Sequence, residues 1–73
     1  MKFKEKRGNT FVFDGGYDLD ELELEYLGDQ MFNFKGFISV SVEMEVVVCG
    51  VAHYKDIQTA VNLMQILINE GEV

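Results

Sequence analysis

Residues 18–29 read DLDELELEYLGD, and whether they wind or extend decides the fold. As a helix, Asp18 would be the N-cap, Glu21 would follow three residues on, and Gly28 would stop it. Glu and Leu also favour helices intrinsically. Leu19, Leu22 and Tyr26 would then share a stripe, but Leu24 would point away from it. Extended, Leu22, Leu24 and Tyr26 alternate with Glu21, Glu23 and Glu25, the period of a half-buried strand. The cleaner periodicity predicts a strand.

The flanking segments agree. KFKEK (2–6) and TFVFD (10–14) bracket Arg7-Gly8-Asn9, which carries the Gly and Asn that tight hairpins need. A three-residue loop sets Phe3 opposite Phe13 and Glu5 opposite Phe11, and gathers Lys2, Lys4 and Lys6 on the other face. Gly15-Gly16 ends the second strand.

Residues 31–54, MFNFKGFISVSVEMEVVVCGVAHY, form the strongest β signal. Phe32, Phe34, Ile38, Val40, Val42, Met44, Val46 and Val48 keep one parity, and Gly36 marks a bulge or turn, so this is one long bent strand or two. After Glu45 the opposite parity turns apolar as well, through Val47, Cys49 and Val51. A strand apolar on both sides is expected to be buried on both sides. A helix follows, with Asp56 placed to cap it, Ile57, Ala60, Val61, Met64, Leu67 and Ile68 as its stripe, and Gly71 as terminator. The expectation is an α+β fold: a small antiparallel sheet of four to five strands, in the order β-β-β-β(β)-α, with one C-terminal helix across one face.

At 73 residues the chain makes a single domain, 1–73, and a core of this size gives modest stability. Its one cysteine excludes an internal disulfide, and no Cys/His cluster suits zinc, so packing or oligomerisation has to supply the missing stability. Met1–Arg7 is charged, but no apolar region follows it as in a signal peptide. The longest apolar run, Val46–Ala52, is far short of the roughly 20 residues that span a bilayer. A cytoplasmic protein without membrane attachment is expected.

The net charge of −7 is unevenly placed. Lys2, Lys4, Lys6 and Arg7 open the chain, and from Gly8 onward twelve acids face only Lys35 and Lys55, a balance of −10. Such a surface repels polyanions, so direct nucleic-acid binding is not expected.

No catalytic constellation emerges. Cys49 and His53 suggest a nucleophile and its base, but along a strand they stand roughly 13 Å apart. Cys49 reads instead as a small buried hydrophobe, and His53 as a polar end-of-strand residue. Asp14–Glu25 overlaps the calcium-loop template but has Leu19 where that loop needs glycine. Gly15-Gly16, between Asp14 and Asp18, would repel the anion a phosphate loop cradles. No metal or cofactor is expected, and the chain is read as non-enzymatic.

Two surfaces remain. Asp18, Asp20, Glu21, Glu23, Glu25, Asp29, Glu43 and Glu45 present carboxylates suited to steering a basic protein partner. In size and acidity the chain is similar to phage-encoded inhibitors of host nucleic-acid enzymes that mimic DNA, a likeness of composition that covers no motif. The expected function is therefore a small acidic protein-binding module, of which a modulator of a nucleic-acid-handling enzyme is the most specific form. The alternative is a structural subunit or homodimer whose acidity is only solvation. Val47 and Val51 lie on a sheet face that one helix cannot cover, and the charge-free Gln58, Asn62 and Gln65 would extend a self-association surface.

Overall fold

A computed structural model describes residues 1–71. Five strands, β1 (Lys2–Arg7), β2 (Thr10–Asp14), β3 (Glu21–Gly28), β4 (Met31–Ser39) and β5 (Glu45–His53), form one antiparallel meander in the order β1-β2-β3-β4-β5. A 3₁₀ turn at Tyr54–Asp56 leads into an α-helix, α1 (Gln58–Asn69). This is the expected small α+β architecture.

The 18–29 stretch extends. Leu22 and Leu24 of β3 turn to the helix side and are buried, while Glu21, Glu23 and Glu25 turn to the open side. Asp18 caps nothing. It follows Tyr17 at the centre of the β2–β3 turn, with φ of 53° and 62° at Tyr17 and Asp18 and the Leu19 N–H donating to the Gly16 carbonyl at 2.9 Å. Positive φ at both central residues is the type I′ pattern, whose twist suits a hairpin. The same pattern recurs at Asp29-Gln30 between β3 and β4, with φ of 53° and 63°.

The first hairpin departs from expectation. Arg7 pairs with Thr10, leaving a two-residue turn at Gly8-Asn9 in place of a three-residue loop. Phe3 still faces Phe13, but the register shifts between Phe3 and Glu5, so Glu5 faces Val12 and Lys6 faces Phe11. That bulge separates the lysines. Lys6 reaches the helix side and lies over the Phe11 ring at 5.5 Å.

Residues 31–54 are two strands. Val40, Val42 and Met44, expected inside by parity, form the exposed β4–β5 loop, with Val42 fully exposed. Gly36 is neither bulge nor turn; β4 runs straight through it, paired with Leu22 and Val48. A Cβ there would meet the Leu19 side chain at 2.6 Å, so the glycine makes room for Leu19.

The core lies between the sheet and α1. Phe11, Phe13, Leu22, Leu24 and Phe32 pack with Ile57, Ala60 and Met64. Each large side chain fully removed from water contributes about 1.5–3 kcal/mol. The expected helical stripe is buried at Ile57, Ala60, Met64 and Leu67 and half-buried at Val61, but Ile68 is exposed. Asp56 does not cap the helix, because the 3₁₀ turn moves the N-cap to Ile57, whose side chain accepts nothing. The Tyr17 hydroxyl, reaching over from the β2–β3 turn, accepts the Ala60 N–H at 3.3 Å. At the far end, Gly71 adopts φ 74° and its N–H donates to the Ile68 carbonyl, as expected of a terminator.

Candidate functional site

The meander leaves two edges, β1 and β5. β5 pairs with β4 alone, over nine residue pairs from Met31↔His53 to Ser39↔Glu45 without a bulge. Two bonds fix which way its backbone faces. The Tyr54 N–H donates to the Gln30 carbonyl at 2.8 Å, and the Val40 N–H to the Met44 carbonyl at 2.9 Å. Both fit the β4–β5 register, and hydrogen-bonded pairs alternate along an antiparallel ladder. Val46, Val48, Gly50 and Ala52 therefore bond to β4. Glu45, Val47, Cys49, Val51 and His53 turn their N–H and C=O groups outward, where no strand among the described residues meets them.

The side chains of this edge are also uncovered. Val46, Val47, Val48 and Val51 are 42%, 47%, 43% and 58% exposed, so neither face is sealed. The expectation that an apolar strand lies inside fails here. Composition marked β5 as a central strand, but its place in the chain, last in a meander, puts it at the edge. Cys49, expected to be buried, is exposed for the same reason. On the helix side, the core takes in Phe11, Phe13, Leu22, Leu24 and Phe32, with Ala52 of β5 packed against it, and leaves Val46 and Val48 exposed. His53 ends the strand as expected, and its Nδ1 accepts the Lys55 N–H at 3.1 Å.

The carboxylates do not form one surface. Glu21, Glu23 and Glu25 line the open face of β3, half-buried in the middle of the sheet. Glu21 accepts from Lys4 Nζ at 2.9 Å, which raises the Lys4 pKa above its ordinary value through that hydrogen bond and the attraction between the charges. Glu23 stands opposite Lys35, and Glu25 opposite Thr10 and Asn33. Asp18 and Asp20 lie by the β2–β3 turn, at the end of the sheet that also carries Glu43 and Glu45; Asp29 is at the opposite end. Asp20 is structural, its Oδ2 accepting the Ser39 N–H at 2.6 Å. Val12, on the open face between Glu5 and Glu23, is wholly buried. Flanking charged side chains thus cover apolar surface with their stems.

The charge-free helix face lies elsewhere. Asn62 and Gln65 line an open groove of about 830 Å³ with Lys6, Phe11, Tyr26 and Ile68. The Tyr54 hydroxyl donates to Asn62 Oδ1 at 3.4 Å, and Gln65 Nε2 to Asn69 Oδ1 at 3.1 Å. Gln58 is exposed at the helix start. Among the described residues, no group of three or more His, Cys, Asp or Glu side chains is placed to hold a metal ion. Nor, among the described residues, is any helix long and apolar enough to cross a membrane. No protein-family model, curated protein or solved structure matches the chain.

Proposed function

We propose that this chain is a non-enzymatic protein-binding domain that docks through the free edge of β5. The observation that carries this reading is the coincidence, on one strand, of outward-facing backbone groups and exposed valines. Main-chain bonds to an added strand would provide affinity, and alternate side chains would provide selectivity. Exposed apolar surface of this kind marks interaction sites. The neighbouring loop, with Val40, Val42 and Met44 exposed, continues the apolar surface beyond the strand.

A second reading assigns docking to the carboxylates, with a basic protein such as a nucleic-acid-handling enzyme as partner. It is favoured by Glu23 and Glu25, which share the open face without an ion pair among the described residues. Steered acid–base binding weakens as salt rises, whereas apolar edge pairing does not. Capture from an extract of the protein's own cells at low and high salt separates the two readings. The Val47→Lys, Val51→Lys variant should lose its partner, and the Glu21→Gln, Glu23→Gln, Glu25→Gln variant should keep it at both salts. The reverse pattern would transfer the function to the carboxylates.

A further inference from the structure

The free edge is complementary to itself. We infer that β5 pairs antiparallel with β5 of a second copy about a two-fold axis at Cys49, joining two five-stranded sheets into one continuous sheet. This assignment rests on the reading of β5 as the docking edge, and names its occupant.

The outward backbone groups belong to Glu45, Val47, Cys49, Val51 and His53. With the axis at Cys49 these five oppose the same five in reverse, and the whole of Glu45–His53 overlaps. Each outward N–H then meets an outward carbonyl, so the backbone groups that the monomer leaves to water are paired. Side chains match as well. On the open face Val47 stands opposite Val51 of the second copy, and Glu45 stands opposite His53. Because His53 Nδ1 accepts the Lys55 N–H, the neutral ring carries its proton on Nε2, a donor for the Glu45 carboxylate. On the helix side Val48 opposes Gly50 and Val46 opposes Ala52, a large residue against a small one each time.

Neighbouring registers lose these matches. Moving the axis to Val48 sets Glu45 against Val51, and moving it to Gly50 sets Val47 against His53. Charge does not oppose the contact, since Glu45 is the only acid on the strand despite a net charge of −7. Pairing β5 with β1 would instead leave a bare β5 at one end to accept the next β1 and build an open polymer, whereas β5 with β5 uses up both bare edges and leaves only the charged β1 edges.

Sedimentation over a concentration series, with crosslinking of defined cysteines, tests the assignment. The wild type should sediment as a dimer. Val51→Pro removes one outward N–H and leaves the β4 ladder whole, so the variant should fold and associate at least tenfold more weakly. Should that variant fail to fold, Val51→Lys replaces it, with the same expected loss. A short bifunctional thiol crosslinker should join Cys49 to Cys49, whose Cα atoms would lie about 5.5 Å apart. It should not join the Glu45→Cys, Cys49→Ser variant to itself, because those positions are offset by roughly 27 Å along the strands. A monomer at every concentration, a dimer indifferent to both Val51 variants, or crosslinking equal at the two positions would each overturn the assignment. Monomers throughout would not touch the docking edge itself. That edge falls only if the Val47→Lys, Val51→Lys variant captures as well as the wild type.

Discussion

The two edges of this sheet are built on opposite principles. β1, KFKEKR, carries four bases and one acid, and a bulge at Lys4 breaks its register with β2. Charge and irregularity are the devices by which natural sheets keep edges from pairing. β5, EVVVCGVAH, has no lysine, arginine or proline, and runs in unbroken register for nine residues. One chain thus protects one edge and leaves the other bare. Retaining a hazard on one side only is what selection for a single contact would leave, and a closed pair of sheets is the simplest contact that would use it.

The largest effect expected from breaking this contrast comes from proline on the two sides of β5. Ala52→Pro removes an N–H that faces Phe32 within the ladder and orphans its acceptor, at a cost of about 1–3 kcal/mol. In a domain this small that loss should lower the denaturation midpoint sharply, and urea titration reads it directly. One residue earlier, Val51→Pro should leave the midpoint nearly unmoved at protein concentrations low enough to dissociate the pair, and act on association alone. Equal destabilisation by the two variants would show that the odd residues bond to β4, reversing the edge.

A smaller effect should follow from stripping β1 of its protection. Lys2→Val with Lys4→Val removes two charges from the open face of the edge, leaving Lys6 over Phe11 and Arg7 beside Glu5. With both edges bare, closed pairs should grow into open-ended sheets. Sedimentation should then show species beyond the dimer, and light scattering should rise with concentration. Unchanged sedimentation would mean that the charges on β1 are not what keeps it unpaired.

Much of this contrast was legible in the sequence. The period of two in residues 21–26 and the alternation in 31–38 identified strands, because a half-buried strand leaves a direct trace in residue order. The stripe from Ile57 to Leu67 identified the helix equally well. Where the reading failed, the cause was information that periodicity does not carry. Parity in Val40, Val42 and Met44 continued through a loop, because the loop happens to preserve the alternation. β5 looked central because its composition is that of a central strand, while edge position is a property of topology. Asp56 met the composition rule for a cap, yet the bond that α1 uses comes from Tyr17, 43 residues away in the chain. Gly36 interrupts the apolar alternation as a bulge or turn would, but the residue that explains it is Leu19, in the β2–β3 connection. The candidate site was half visible. Val47 and Val51 stood out as apolar on an uncovered face, but their outward backbone, which makes the edge usable, appears only once the register is known.

The smallest effect concerns what the charges of β1 do for stability. Lys4 and Glu21 are joined at 2.9 Å, but both stay in contact with water. Exposed pairs of this kind are weak and screened by salt. Lys4→Met should therefore leave the melting temperature almost unchanged at neutral pH, even though the same position matters for association in the double variant. The pH dependence supplies a sharper readout. The Lys4 pKa is raised above 10.5 by the hydrogen bond to Glu21 and by its charge. A group whose folded-state pKa is raised contributes stability that is fully present below its unfolded value and is lost as pH climbs through the folded one. The wild type and Lys4→Met should thus keep a small, constant difference through neutral pH, and their melting temperatures should converge only above pH 10.5. A large drop in melting temperature at neutral pH would show that β1 is charged for stability, and the contrast between the edges would then need another cause.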